Sequence, residues 1–223
     1  EKINFDNVLI VFDNKIPEFF VKKIKKSFKC KKKILFRLKS SEKNKNLVKV
    51  NEIIDLLLKN NFNRNDCIIG LGGGIVGDLS CYVASIYKRG LKFINIPTTL
   101  LAQVDASIGG KSGVNHKNFG KNLIGTIYQP NIVLTDICFL KSLKKREIIC
   151  GYAEVFKHTL IRDKKAFSYL NRFTEEILNL KKPYINKVIY QSCIIKKKIV
   201  EEDENENNIR KILNLGHTFG HAF

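Results

Sequence analysis

Short runs of apolar and β-branched residues alternate with amphipathic segments through the first part of the chain. Two segments between these runs, Pro17–Lys26 and Leu47–Asn60, carry apolar residues at helical spacing, and Pro17 suits the first turn of a helix. The runs predict five buried strands: Val8–Phe12, Ile34–Leu38, Cys67–Gly70, Phe93–Ile96 and Ile132–Thr135. Because strands that alternate with helices form parallel sheets covered on both faces, we expect a Rossmann-like α/β fold with a mostly parallel sheet.

The pattern changes near Lys141, where the strand signals stop and helical periodicity takes over. Four helices are predicted in this part: Ile148–Ile161, Phe167–Leu180, Ile185–Glu202 and Ile209–Phe223. We therefore expect an α/β domain over residues 1–140 and an all-helical domain over residues 141–223. The chain does not begin with Met and its last residue falls inside a predicted helix, so we expect a fragment whose helical domain is incomplete. A cleft between two such domains is the expected place for an active site.

Composition narrows the choice of partners. The chain has 223 residues, 44% of them hydrophobic, and a formal net charge of +19. Its lysines are spread along the chain and form no ridge interleaved with aromatic residues, so we expect a solvated basic surface and no nucleic-acid partner. No apolar stretch is long enough to span a bilayer, so we expect no membrane association. The six cysteines have no paired spacing, which is typical of reduced residues in a cytoplasmic protein.

One glycine motif, Gly72-x-Gly74-x-x-Gly77, follows the predicted strand Cys67–Gly70 and precedes a helix. Glycines there allow a tight turn and a close approach of the backbone to a phosphate, beside the positive end of the helix. The acidic residue that would bind a ribose after the next strand is absent, since Phe93–Ile96 runs into Pro97. By itself, the motif supports a dinucleotide site and an unliganded glycine turn about equally.

Longer motifs follow the glycine loop along the chain. They are Pro97–Asp105, Ser107–Lys111, Gly120–Gly125, Tyr128-Gln129-Pro130, Arg146-Glu147, Ala153–Lys157 and Leu213–His221. In these motifs the chain resembles the 3-dehydroquinate synthases, the cyclising enzymes of the shikimate pathway, from about Val8 to Phe223. That resemblance covers nearly the whole chain but only somewhat more than half of a typical family member.

The resemblance implies an enzyme, a carbon–oxygen lyase of chorismate and aromatic amino acid biosynthesis that depends on NAD and on zinc or cobalt. Such an enzyme converts 3-deoxy-D-arabino-heptulosonate 7-phosphate to 3-dehydroquinate and phosphate. The steps are transient oxidation by NAD, elimination of phosphate, re-reduction and intramolecular aldol closure. Since family members are typically homodimers, the resemblance also implies a homodimer.

Two residues match metal ligands of the family, Glu154 and His217. A carboxylate and a neutral imidazole suit zinc, and an open position would let the ion hold the substrate hydroxyl that is oxidised. His221 matches a catalytic residue that binds substrate. In family members a third ligand, within a His-Gly-Glu segment, and a catalytic lysine come later than the position of Phe223. We therefore expect the chain as given to hold zinc poorly and to be inactive.

The resemblance assigns further catalytic residues to the substrate's carboxylate, phosphate and hydroxyl groups. They are Arg89, Asp105, Lys111, Lys121, Asn122, Lys157, Lys196, Glu206, Arg210 and Asn214. Arg89 completes the phosphate site and in some family members reaches it from the neighbouring subunit. Any single lysine in so basic a chain can instead be a solvated surface group. That alternative is strong for Lys196, which two more lysines follow, and weak for Lys111 and Lys121 within their glycine-bracketed motifs.

The positions that match NAD-binding residues of the family form four groups along the chain. They are Asp13; Glu42 and Lys45; Gly73, Gly74, Ile75, Val76, Gly77, Asp78, Thr98 and Thr99; and Phe139, Leu140, Lys141 and Ser142. Lys111 and Lys121 also match cofactor positions. In the family, the first two groups serve the adenosine portion and the glycine loop serves the pyrophosphate. Two departures are a serine where a glycine usually precedes Glu42, and His158 in place of a usual aromatic residue, which we expect at the rim of the site.

Two other functions stay open at this point. One is another sugar phosphate cyclase of the same fold, such as a 2-deoxy-scyllo-inosose or valiolone synthase. Those enzymes differ in the groups that face the substrate carboxylate, so Arg210 and Asn214 favour the dehydroquinate reaction. The other is an inactive, truncated product that keeps the fold and part of the NAD site.

Overall fold

The computed structural model of the chain describes residues 5–216. Those residues form seven strands: β1 (Asn7–Asp13), β2 (Lys32–Leu38), β3 (Cys67–Gly72), β4 (Lys92–Pro97), β5 (Lys111–His116), β6 (Gly120–Ile127) and β7 (Ile132–Val133). They also form seven α-helices: α1 (Glu18–Ser27), α2 (Leu47–Lys59), α3 (Gly74–Ile86), α4 (Lys145–Arg162), α5 (Lys164–Arg172), α6 (Thr174–Leu178) and α7 (Tyr184–Glu202). Short 3₁₀ or π turns cover Glu42–Asn44, Tyr87–Arg89, Ala102–Ala106, Ile137–Ser142 and Ile209–Asn214.

The chain divides into two compact units. The first holds the chain through Thr98 and Gly110–Thr135, and the second holds Thr99–Gly109 and the chain from Asp136 onward. This division differs from the expected one after residue 140, because Thr99–Gly109 and residues 136–140 lie in the helical unit. Leu100 and Val104 explain the difference, since both are fully buried in the hydrophobic cluster of that unit.

The first unit is built on a sheet of five parallel strands in the order β2-β1-β3-β4-β7. Its central strands are buried because their side chains are almost all apolar, as the β-branched runs predicted. The chain leaves β1 for β2 on one side and returns to β3 on the other. The carboxyl ends of β1 and β3 are therefore neighbours, with Phe12 beside Leu71, which is where dinucleotides bind in such sheets. The expected Rossmann-like sheet is confirmed.

A two-stranded antiparallel sheet, β5 with β6, completes the first unit and was not expected from the sequence. Its residues are rich in glycine and polar groups, so the alternation that marks a strand is weak. Gly125 is required there: a Cβ at this position would lie 2.1 Å from the carbonyl oxygen of Ser112 on the partner strand.

The second unit is helical, as expected. Its hydrophobic cluster gathers side chains from α4, α5, α6, α7 and the turn at Ala102–Ala106. The predicted helix Phe167–Leu180 is divided into α5 and α6 at Phe173, and the described part of Ile209–Phe223 is a 3₁₀ helix over Ile209–Asn214. None of the helices in the described part of the chain combines the length and the apolar character that a membrane span requires.

Candidate functional site

The glycine loop joins β3 to α3 in the first unit. A Cβ at Gly72 would lie 2.5 Å from Cγ2 of Val76, so the turn is too tight for a side chain. Within the described residues, no side chain caps the N-terminus of α3, which begins after Gly73. The first N–H groups of a helix have no partner within the helix, so this end offers donors to an anion.

Three of the predicted site residues meet beside this loop. The ammonium of Lys45 is buried and lies 2.5 Å from Oδ2 of Asp78 on α3. It also donates to Oδ1 of Asn122 on β6, at 2.5 Å. Asn115 ties Glu42 to the same network, since its side chain donates to Oε2 of Glu42 at 2.8 Å and its N–H donates to the Lys45 carbonyl at 2.7 Å. The structure thus brings Lys45, Asp78 and Asn122 into contact, and Asn115 connects Glu42 to Lys45.

Other predicted cofactor residues of the first unit lie at strand ends. Asp13 ends β1, and its carboxylate accepts the N–H of Lys15 at 3.0 Å. Thr98 follows β4 and is buried, and its N–H donates to the Gly72 carbonyl at 2.9 Å. The side chain of Val76 packs in the hydrophobic core, so only backbone atoms of that residue can reach a ligand.

The remaining basic residues predicted in this unit are exposed. Lys111 begins β5 and Lys121 lies on β6. Arg89 lies in a turn where Lys88, Arg89 and Gly90 all have positive φ, at 48°, 64° and 128°. Such a backbone is costly for the first two residues, and strain of this kind is concentrated at functional positions.

The predicted residues of the segment Phe139–Ser142 lie in the second unit. Phe139 and Leu140 are buried, and the Ser142 hydroxyl donates to the Phe139 carbonyl at 3.0 Å. Lys141 is exposed. Thr99 also lies in the second unit, ahead of the turn at Ala102–Ala106, and its hydroxyl accepts the N–H of Ala102 at 3.1 Å. The side chain of Leu140 belongs to the hydrophobic cluster, so a contact with a ligand would have to come from its backbone.

Lys196 is not a solvated surface lysine. Its side chain is only 8% exposed, and its ammonium donates to the backbone carbonyl of Asp105 at 2.7 Å and pairs with the Asp105 carboxylate. The next residue, Lys197, has a side chain 63% exposed. The alternative that Lys196 is a solvated surface lysine is therefore wrong. Lys196 and Asp105, both predicted site residues of the second unit, are in direct contact.

Arg210 is buried against the glycine turn that precedes β5. Its guanidinium donates to the carbonyl of Gly109 at 3.0 Å and to the carbonyl of Glu204. Burial lowers the pKa of Arg210 from its usual value, although nearby carboxylates oppose this effect. A second predicted pair lies in the same region, where the Asn214 amide donates to Oε1 of Glu206 at 3.1 Å.

Glu154 lies on α4, between two basic neighbours on the same helix. Its Oε1 is 2.6 Å from the ammonium of Lys157 and 3.1 Å from Nε2 of His158. Burial by itself would raise the pKa of Glu154, but the contacts with His158 and Lys157 outweigh it and hold the pKa below its usual value. The carboxylate is therefore ionised at neutral pH, the state in which it binds metal.

His158 is the residue that the sequence interpretation misplaced. It is fully buried beside Glu154 and does not lie at the rim of the site. Its Nδ1 lies 2.6 Å from the Ser192 hydroxyl of α7. The sequence contained a signal for this position: His158 follows Glu154 by four residues, and this spacing puts both side chains on one face of a helix.

Among the described residues, Asp105, Glu154 and His158 place possible ligand atoms within 4.8 Å of one another. Oε1 of Glu154 and Nε2 of His158 are buried, and the ammonium of Lys157 meets the charge on Oε1 at 2.6 Å. A carboxylate beside an imidazole is a donor set of the kind that binds divalent ions. The predicted ligand His217 and the predicted catalytic residue His221 lie outside the described residues.

Family models match the chain along most of its length. The model of the 3-dehydroquinate synthase N-terminal domain matches residues 35–150, and that of the C-terminal domain matches residues 151–223. The chain belongs to the 3-dehydroquinate synthase family. A 3-dehydroquinate synthase from Pelagibacter ubique (strain HTCC1062) is 58% identical over 221 residues, which are 99% of this chain and 60% of that protein. The chain thus spans about 60% of the length of the curated relatives it matches.

Solved structures of related cyclases have the same fold. A 2-deoxy-scyllo-inosose synthase complexed with carbaglucose-6-phosphate, NAD⁺ and Co²⁺ has a TM-score of 0.90 and 28% identity, over 99% of this chain and 60% of that one. A 2-epi-5-epi-valiolone synthase from Streptomyces hygroscopicus with NAD⁺ and Zn²⁺ bound has a TM-score of 0.88 and 25% identity, over 96% of this chain and 61% of that one.

Proposed function

We propose that the protein acts as a 3-dehydroquinate synthase, which converts 3-deoxy-D-arabino-heptulosonate 7-phosphate to 3-dehydroquinate and phosphate. The observation that carries this proposal is the 58% identity to a 3-dehydroquinate synthase across nearly the whole chain. The site residues that matched the family by motif agree with it, because several of them pair with one another in each unit.

The first unit fits NAD. When bound, NAD would supply the transient oxidation of a substrate hydroxyl, and a divalent ion would hold that hydroxyl. The uncapped N-terminus of α3 would bind the pyrophosphate, and the close turn at Gly72 would let the backbone approach it. Lys45 holds the carboxylate of Asp78 in place beside the loop.

The second unit fits a divalent ion and an anionic substrate. Glu154 is a largely buried, ionised carboxylate, and an ionised carboxylate can serve as a ligand for zinc or cobalt. Lys157 and Arg210 are fixed cations, and such preorganised groups stabilise the carboxylate and phosphate of a substrate without rearranging. These residue roles are part of the proposal.

A direct assay tests the function. The full-length protein, supplied with NAD and zinc, should release phosphate from the heptulosonate phosphate and form 3-dehydroquinate. Absence of both products would refute the proposal. A parallel panel of hexose phosphates tests the second candidate, another sugar phosphate cyclase, which the TM-score of 0.90 to a 2-deoxy-scyllo-inosose synthase favours.

The cofactor part of the proposal has its own test. Asp78→Ala should weaken NAD binding, measured by calorimetry, because the carboxylate beside the glycine loop is lost. Asp55→Ala is the control, because Asp55 is an exposed acidic residue on α2, and it should leave NAD affinity unchanged. Equal NAD affinity in both variants would count against the assignment of the loop.

We also propose that the protein is a homodimer in the cytoplasm. Family resemblance supports the dimer, and light scattering after size-exclusion chromatography would test it. None of the six cysteines forms a disulfide, which fits a reducing compartment.

A further inference from the structure

Asn115 of β5 connects two parts of the first unit that lie 73 residues apart in sequence. Its side-chain amide donates to the carbonyl oxygen of Glu42 at 3.1 Å and to Oε2 of the same residue at 2.8 Å. An amide NH₂ group has two donors, so one group can hold both the main chain and the carboxylate of Glu42. The contact fixes the rotamer of a glutamate that is otherwise exposed.

The hairpin of β5 and β6 determines which way the Asn115 amide points. Its Oδ1 accepts the N–H of Asn122 at 3.0 Å, and its own backbone N–H donates to the carbonyl of Lys45 at 2.7 Å. Only the amide oxygen can accept from an N–H group, so the NH₂ group must face Glu42. Lys45 is itself buried and donates to the side chain of Asn122. Asn115 is therefore oriented before any ligand binds.

Glu42 and Asn115 both line a cavity of about 580 Å³, a volume typical of small-molecule sites. Leu47 and Val48 add apolar surface to its wall, and the imidazole of His116 adds a ring. A carboxylate accepts hydrogen bonds from hydroxyl groups, and apolar surface suits a flat base. The cavity therefore has the chemistry for a nucleoside, with one carboxylate held in place at its edge.

We propose that Asn115 is a positioning residue for NAD, which holds the Glu42 carboxylate ready to accept hydrogen bonds from the adenosine portion of the cofactor. This inference deepens the proposed function and rests on it, because the proposed function gives Glu42 that role. A glutamate that rotates freely must be immobilised when the ligand binds, and this ordering costs affinity. Asn115 removes the cost in advance without touching the ligand.

NAD binding by the full-length protein, measured by calorimetry, tests the inference. Asn115→Ala should weaken NAD binding by about threefold to tenfold, the affinity lost when one flexible side chain must be ordered on binding. Asn118→Ala is the matched control, because Asn118 is an exposed asparagine in the turn of the same hairpin, and it should leave NAD affinity unchanged. NAD affinity of Asn115→Ala within about 1.5-fold of the parent would overturn the inference.

A double-mutant cycle distinguishes positioning from a general structural defect. If Asn115 acts through Glu42, adding Asn115→Ala to Glu42→Ala should weaken NAD binding by less than about 1.5-fold more. An equal loss from Asn115→Ala in both backgrounds would overturn the inference. In the steady-state assay, the KM for NAD should rise in Asn115→Ala. The kcat at saturating NAD should stay within about twofold, because Lys45 still holds Asn122.

Asn115→Asp guards against a simple folding defect. It keeps an acceptor for the N–H of Asn122 but loses both donors to Glu42, so it should stay folded by circular dichroism and still weaken NAD binding. Unchanged NAD affinity in Asn115→Asp would also overturn the inference.

The parent protein and Glu42→Ala separate the two levels. If the parent binds NAD and Glu42→Ala weakens that binding while Asn115→Ala does not, only the inference fails. If the full-length parent does not bind NAD, the cofactor part of the proposed function fails.

Discussion

The buried ammonium of Lys45 offers a sharp test of how the first unit holds its glycine loop. Lys45→Met keeps the length and the apolar stem of the side chain but removes the charge. It leaves the Asp78 carboxylate and the Asn122 amide oxygen without the ammonium that each contacts at 2.5 Å. The side chain of Lys45 is 7% exposed and that of Asp78 is 19% exposed, so water compensates only partly.

The expected loss follows from these exposures. Removing one partner of a fully buried ion pair costs about 3–5 kcal/mol, and the partial exposure of Asp78 reduces this to about 2–4 kcal/mol in the free energy of unfolding. Lys43→Met is the matched control because Lys43 is exposed in the same short turn. Its effect should stay within about 0.5 kcal/mol.

Urea denaturation followed by circular dichroism measures both values, with equal m-values required for the comparison. Adding Asp78→Asn to Lys45→Met should recover part of the loss, because it removes a partly buried negative charge that has lost the ammonium of Lys45. A double-mutant cycle then gives the coupling between the two residues. The reasoning is refuted if Lys45→Met and Lys43→Met are equally stable, or if the cycle shows no coupling.

Three further predictions concern other parts of the chain. Gly109→Ala should cost about 1–3 kcal/mol in urea denaturation, because φ is +99° there and the new Cβ would lie 2.3 Å from Arg210; a loss under about 0.5 kcal/mol would contradict this. The pKa of Asp203 lies below 3.8: desolvation opposes this lowering, but hydrogen bonds from three backbone N–H groups outweigh it. The carboxylate is therefore still ionised at pH 3.8, so those amides should stay protected from hydrogen exchange at that pH. Their protection should disappear as the pH falls through the lower pKa of the folded state. Loss of protection above pH 3.8 would refute it. Iodoacetamide at about pH 8 should label the exposed Cys150 but not Cys67, whose pKa burial raises to about 12; equal labelling in the folded protein, read by mass spectrometry, would contradict this.

The parallel sheet could be predicted from the sequence because its strands are buried on both faces. Burial on both faces demands continuous apolar runs, such as Val8–Phe12, and these are visible without any knowledge of partners. The hairpin of β5 and β6 was missed for the opposite reason. Its strands are held by cross-strand and side-chain contacts, such as the bond from Thr126 to Ser85 of α3 at 2.8 Å, which local sequence does not reveal.

The resemblance of long motifs to the family, more than residue types, indicated the chemistry of the candidate site. The glycine turn by itself supported a dinucleotide site and an unliganded turn about equally, and Glu154 and His217 were assigned to a metal because they match ligands of the family. The residue pattern could not show which of several neighbouring lysines is buried. Lys196 and Lys197 are equivalent in sequence, yet one is buried against Asp105 and the other is exposed.

Tertiary structure decided those questions because burial and pairing depend on which elements pack together. α7 turns Lys196 toward the segment that carries Asp105, and it places Ser192 against His158. The same packing places Thr99–Gly109 in the helical unit, although β4 of the first unit precedes this segment directly in sequence. The amino-acid order thus determined the sheet and the kinds of reactive groups. The long-range packing determined which of those groups lose water and meet a partner, since contacts across about 90 residues leave no local signal.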